Sequence, residues 1–387
     1  MVMTRTPEKA APRYERVIGR YEGAADGPRV VCVGGLHGNE PAGILAIERV
    51  LEVLREEKPP FRGSFLALSG NLQALQTGER FLEEDLNRAW KYGRLERLVE
   101  MPRQERNAEE NELVELAECL DEAFEGVSRG IFLDLHTTSS PSAPFGVLAD
   151  TLPNREFAFQ FPVPIILGFE EQIEGSLESF LGRKGHITFG FEGGQHDDPA
   201  SVDMHEAALW TALLAAGCLN RGDVAQADRA QQDLERASKG LPRVLEIRYR
   251  KEISKGDGFR MEPGFKNFDR VERGALLARD SSGELRASER SRLFMPLYQN
   301  QGDDGYFLAR RVARFWLRLS AVLRRCQLYR LATWLPGVRR HPSRPETLLV
   351  NPKIARWLVG EVFHLLGFRR ERSSGPETMV SRRPHDN

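Results

Sequence analysis

Short runs of Val, Ile, Leu and Phe recur through the first half of the chain, at Arg29 to Gly34, Ser64 to Leu68, Ile131 to Leu135, Pro164 to Leu167 and Ile187 to Phe191. Apolar runs of this length, bounded by turn residues, predict buried strands. Between them, Ala42 to Leu54, Glu109 to Phe124 and Met204 to Cys218 bring back an apolar residue every three or four positions, which predicts helices with one buried face. Strands alternating with helices imply an α/β domain on a mainly parallel sheet, expected over residues 1–219. Residues 220–240 turn polar and suit an exposed helical connector. From 241 to 310, stretches such as LEIRYRKEI alternate apolar with charged positions between Gly, Asp and Ser clusters, which predicts a small all-β domain.

Residues 311–387 differ again. Between Ala309 and Pro345 there are ten arginines and no acidic residue. Val312, Phe315, Leu319, Val322, Cys326 and Tyr329 recur at helical spacing, so a basic amphipathic helix is expected, with its apolar face packed on the protein and its arginines in water. A second helix is expected over Lys353 to Leu366, and the last dozen residues are expected to be disordered.

Composition adds bounds. A chain of 387 residues with 41% hydrophobic and 29% charged positions can bury more than one core and does not read as disordered. A formal net charge of -1 supplies no global field for nucleic acid, and no nucleic-acid partner is expected. Cys32, Cys119, Cys218 and Cys326 are far apart and read as reduced. Residues 1–23 lack the apolar run of a secretory signal and no segment reaches eighteen uninterrupted apolar residues, so a cytoplasmic protein without a transmembrane span is expected; a homo-oligomer stays open.

The chemistry concentrates where apolar runs end. VVCVGGLHGNEPAG places His37 and Glu40 just after a strand, with Pro41 at the start of a helix. In open α/β sheets the carboxyl ends of strands are where ligands collect. GIFLDLHTTSS ends alike and delivers Asp134 and His136 to one face of its strand. Two imidazoles and a carboxylate are the donor set of a catalytic zinc site, because they leave a coordination position open for water. ITFGFEGGQH puts Glu192 at a third strand end, where a buried carboxylate calls for a basic partner or for proton transfer beside an activated water. Each piece alone admits a structural reading: a surface His-x-x-Glu pair, a His136 satisfied by Thr137 or Asp134, an ion-paired Glu192. His196 and His205 read as surface residues. GNLQALQTGERFLEEDLNRAW gathers Arg80, Asp85, Asn87 and Arg88; arginine forks match carboxylates, so Arg88 with Asn87 suits a substrate carboxylate and Arg80 the oxyanion of an attacked carbonyl.

GGLHGNEPAG, RF-x3-DLNR, DLHTT and FEGG, in this order and spacing, resemble the succinylglutamate desuccinylase and aspartoacylase family, a branch of the zinc carboxypeptidase superfamily, over about residues 27–310. The resemblance implies a carboxypeptidase-like mixed sheet flanked by helices, followed by the small β domain and the helical extension. It also implies hydrolysis of an N-acyl amino acid, such as N-succinylglutamate or N-acetylaspartate, with one zinc ion held by His37, Glu40 and His136 and with Glu192 as general base. Arg80 would polarise the carbonyl, Asn87 and Arg88 would bind a carboxylate, Asp85 would order that loop and Tyr306 would reach the site. The sequence departs from the family where an arginine is expected about ten residues before the catalytic glutamate: Gly182 stands there, beside Arg183. The rival class is a regulatory protein docking on an anionic membrane or nucleic-acid surface through its arginine-rich helix.

Overall fold

The computed structural model describes residues 14–386, apart from 255, 352, 355–360 and 372–377. Most of the N-terminal stretch read for a leader therefore lies outside the described residues, as does the middle of the second expected C-terminal helix. Among the described residues no helix is long and apolar enough to cross a membrane.

The strands run β1 (Val17–Glu22), β2 (Ala25–Gly34), β3 (Arg62–Ser69), β4 (Ile131–Thr138), β5 (Phe145–Val147), β6 (Ile165–Leu167), β7 (Ile187–Gln195), β8 (Val244–Glu252), β9 (Arg260–Met261), β10 (Arg270–Val271), β11 (Leu276–Asp280), β12 (Gly283–Arg286), β13 (Ser291–Phe294) and β14 (Asp304–Arg311). The helices are α1 (Ala42–Glu57), α2 (Leu72–Thr77), α3 (Arg94–Glu100), α4 (Ala108–Ala123), α5 (Leu152–Ala158), α6 (Phe169–Gln172), α7 (Leu177–Arg183), α8 (Ala200–Ala216), α9 (Ala225–Ala237) and α10 (Arg314–Arg325). One sheet of eleven strands carries the fold in the order β1-β3-β2-β4-β7-β5-β6-β8-β14-β13-β10. Parallel β2, β4 and β7 lie at its centre, covered on both faces, which is why their sequences are nearly unbroken apolar runs. One apolar layer joins α1 and α8 to the sheet; the other places α4 and α7 against its opposite face.

Most of the β-rich segment continues the large sheet rather than forming a domain of its own. β8 pairs in parallel with β6, and β14, β13 and β10 add on antiparallel; only β9, β11 and β12 make a sheet of their own. Apolar Leu245 and Ile247 share a core with Phe145 and Ile166, so separation would expose that surface. The connector is helical, as α9, but Ala227, Ala230 and Leu234 are buried rather than exposed.

The C-terminal extension begins with α10 as expected and then changes class. β15 (Val338–Arg340), β16 (Thr347–Val350), β17 (Phe368–Glu371) and β18 (Thr378–Arg382) form an antiparallel sheet in the order β15-β16-β18-β17. Of the second expected helix, α11 (Glu361–Leu365) is described. The expectation of a disordered end is corrected: β18 is flanked by two partners and Val380 is fully buried. The orientation of α10 is corrected as well. Leu317, Ser320 and Arg324 face inward, whereas Phe315 and Val322 stand in solvent.

Candidate metal centre

Because β2, β4 and β7 are parallel neighbours in register, their carboxyl ends open on one crevice. His136 lies opposite Glu192 across the β4 and β7 pair, and Gly34 lies opposite Leu135 across β2 and β4. The chain leaves β2 through a turn in which the Glu40 amide donates to the His37 carbonyl (3.1 Å), returning Glu40 beside His37. Gly38 permits that turn, since a Cβ there would stand 2.1 Å from the Ala74 backbone.

Glu40 is clamped at the centre. His37 Nδ1 lies 3.0 Å from its Oε1 and His136 Nδ1 lies 3.1 Å from its Oε2, while the Thr137 amide donates to Oε2 at 2.9 Å. Arg80 donates to Glu40 (3.2 Å) and to Asp85 (3.0 Å). Burial would raise the Glu40 carboxyl, but the two imidazoles outweigh it and hold it well below the ordinary carboxylate range.

The second ring nitrogens decide what the first ones are for. His37 Nε2 is 3.1 Å from Asp85, and His136 Nε2 is 2.9 Å from Asp134. An imidazole that gives one N–H to a carboxylate and turns its other nitrogen inward is prepared to bind a metal. One ligating atom from each of His37, Glu40 and His136 lies within 4.8 Å of the other two. Tetrahedral zinc with bonds of about 2.1 Å separates its ligands by about 3.4 Å, so little movement would be needed. Charge agrees. Burial would lower the His136 pKa, yet Asp134 and Glu40 lift it well above the ordinary value, a demand for positive charge that a divalent ion would meet. These residues fit zinc.

Glu192 faces the same cavity, of about 150 Å³, also lined by Arg80, His136 and Arg88. Its Oε2 is shielded and without a hydrogen-bond partner. Burial, reinforced by Glu40, pushes this carboxyl well above its usual range despite the opposing pull of His136 and Arg80. A carboxyl shifted upward beside a metal centre is suited to accept and return a proton.

Other expected site residues are placed differently. Arg88 lines the cavity, but its guanidinium is held by Asp304 (2.7 Å) and by the Asn87 carbonyl (2.9 Å). Asn87 accepts from the Leu177 amide (2.9 Å), capping the entry to α7, and Asp85 orders its loop by accepting from the Asn87 amide at 2.9 Å. Tyr306 does not reach the site. It is buried in the β-rich core beside Tyr249 and Phe259, while its neighbour on β14, Phe307, lines the cavity; alternate strand residues face opposite sides. His205 is fully buried and donates to the His136 carbonyl at 2.9 Å, and burial pushes its pKa down to about 4. Its ring occupies the space a Cβ on Gly193 would need, so that glycine makes room for protein rather than ligand. His196 lines the cavity, hydrogen-bonded to Thr137 and to Gln299. Gln299 and Gln301 bring the loop before β14 over the site, Gln301 accepting from the Arg80 amide at 3.1 Å. α7 presents Glu178 to the cavity, whereas Gly182 does not line it and Arg183 donates to the Trp90 carbonyl.

Residues 26–211 match the family model described as the succinylglutamate desuccinylase/aspartoacylase catalytic domain. A succinylglutamate desuccinylase of Pseudomonas putida strain GB-1 is 46% identical over 54 residues, which span 14% of this chain and 16% of that protein. Two solved structures share the fold: a succinylglutamate desuccinylase/aspartoacylase from Rhodobacter sphaeroides (TM-score 0.54, 18% identity, 76% of this chain and 88% of that one) and an aspartoacylase family protein from Mesorhizobium loti (TM-score 0.53, 21% identity, 76% and 88%).

Proposed function

We propose, from the match of residues 26–211 to the succinylglutamate desuccinylase/aspartoacylase catalytic domain, that this chain is a metal-dependent deacylase that hydrolyses the amide bond of an N-acyl amino acid. The observation that carries the reading is the pair of imidazoles on Glu40, each backed by its own carboxylate. His37, Glu40 and His136 would hold one zinc ion. When bound, zinc would polarise the scissile carbonyl and make a water molecule more acidic.

The chain's own residues supply the rest. Glu192 takes a proton from the attacking water as the bond from water oxygen to carbonyl carbon forms, and returns it to the amine nitrogen as the bond from carbonyl carbon to nitrogen then breaks. Arg80, oriented by Glu40 and Asp85, points a guanidinium at the developing oxyanion. Asp85, hydrogen-bonded to His37 Nε2, holds that imidazole in the tautomer that leaves its inward nitrogen free, and the Asp134 carboxylate stands 2.9 Å from His136 Nε2. The cavity wall opposite is apolar, with Val147, Phe169, Ile173 and Phe307. Both of its arginines are already paired, and Glu178 adds an unpartnered carboxylate oxygen. This balance favours an N-acyl amino acid with a single carboxylate over the multiply charged succinylglutamate.

Glu192→Gln tests the mechanism. Zinc content should stay that of the wild type while turnover of N-acyl amino acids falls by about 10² to 10⁴, the range of general-base contributions. A variant with undiminished turnover removes Glu192 from the reaction.

A further inference from the structure

Helix α10 shows three stripes around its axis. Leu317, Ser320 and Arg324 form the buried one. On the other side Phe315, Trp316 and Val322 are 65%, 50% and 56% exposed, and Leu319 falls between Phe315 and Val322 at helical spacing. Exposed Arg314, Arg318 and Arg325 run along the edge between these two stripes. Exposed Leu328, Leu331 and Trp334 follow in the next turns. On the arginine edge, a groove of about 470 Å³ collects Arg243, Arg314, Arg318 and Arg325 against one acid, Glu156.

Single exposed hydrophobic residues are ordinary, but a contiguous aromatic stripe rimmed by cations marks a surface that something covers. Charge narrows the choice of occupant. Residues 309–345 carry ten arginines and no acid, so a second copy docking here would set arginine against arginine. A nucleic acid would satisfy the arginines and leave the aromatic stripe in water. An anionic bilayer takes both: headgroups for the guanidinium edge, the acyl boundary for Phe, Trp, Leu and Val.

We propose that the outward face of α10, with the arginine-lined groove beside it, docks this protein on an anionic lipid surface. The helix then lies in the plane of the interface, held by its apolar stripe and steered by its arginines. Docking is independent of the deacylase reading, since none of these residues belongs to the site.

Co-sedimentation of the full chain with vesicles tests this. Vesicles of phosphatidylcholine and phosphatidylglycerol in equal parts should bring the protein down, vesicles of phosphatidylcholine alone should not, and the tryptophan emission should shift to the blue on binding. F315S/W316S should weaken partitioning by more than about tenfold, because two aromatic side chains leave the interface. R314S/R318S should weaken it chiefly at low salt. Neither pair should change turnover of a soluble substrate. Failure to sediment, or equal sedimentation of F315S/W316S, overturns the proposal. So does a concentration-dependent dimer abolished by F315S/W316S, which would give the face to a second copy, or retention on duplex DNA in place of vesicles.

Discussion

Two clusters of buried charge can be compared, one at the carboxyl ends of β2, β4 and β7, the other where the C-terminal extension meets α5 and α6. They use the same residue types in different proportion. In the first, Glu40, Asp85, Asp134, Glu178 and Glu192 gather around two imidazoles and Arg80, while the other cavity arginine, Arg88, is held by Asp304. In the second, Asp150, Glu170, Glu171 and Asp386 face Arg155, Arg324, Arg383 and His364, with Glu246 shared between His364 and Arg248. The clasp is balanced within the chain and serves to fasten. The site is short of positive charge, and a divalent cation would supply it. Buried carboxylates alone do not mark a metal centre; the deficit does.

The comparison can be broken from the clasp side first. Arg324→Met keeps the volume but takes from buried Asp386 its ion-pair partner and leaves Asp150 to Arg155 and Arg383, and should cost about 3–5 kcal/mol in urea unfolding. A loss below about 1 kcal/mol would show that the clasp does not fasten the extension. On the site side, zinc at about a thousand times its dissociation constant should stabilise the protein by about 4 kcal/mol, and chelation should remove that gain. Unfolding temperatures that ignore both zinc and chelator would erase the contrast.

His364 gives the clasp a pH signature. Burial lowers its pKa, but Glu171 and Glu246 prevail and raise it to about 9. A folded value above the unfolded one, about 6.5, means that the contribution is complete below pH of about 6.5 and is lost as pH rises through about 9; it amounts to about 3 kcal/mol at most. His364→Gln should flatten stability across that alkaline window, and an unchanged slope would contradict the assignment. The smallest expected effect belongs to Asp85→Asn, which loosens the orientation of His37 and should weaken zinc affinity by about tenfold to a hundredfold. An Asp85→Asn variant that binds zinc as tightly as the parent would confine Asp85 to ordering its loop.

What the sequence disclosed and what it hid divide along the same line. His37, Glu40, His136 and Glu192 could be read because each sits at the end of an apolar run, and strand ends of a parallel sheet converge without further information. Glu178 and Asp304 went unread, because a lone carboxylate in a polar stretch carries no local signal of the cavity it faces. Tyr306 was misread through strand parity, where one residue separates the cavity face from the core. The inward face of α10 was hidden for a subtler reason: it includes Ser320 and Arg324, and Arg324 is buried only because Asp150 and Asp386 arrive from distant segments. Periodicity of apolar residues therefore pointed to the wrong side. The last strand was missed because β18 gains its stability from two neighbours that the sequence alone does not bring together.

Calorimetric titration of the metal-stripped protein with zinc tests the central claim most directly. One ion per chain should bind, with proton release from His136 and its partners, equally in Glu192→Gln and not at all in His136→Ala. Heats that never saturate, or a His136→Ala variant that still takes up its ion, would contradict the account.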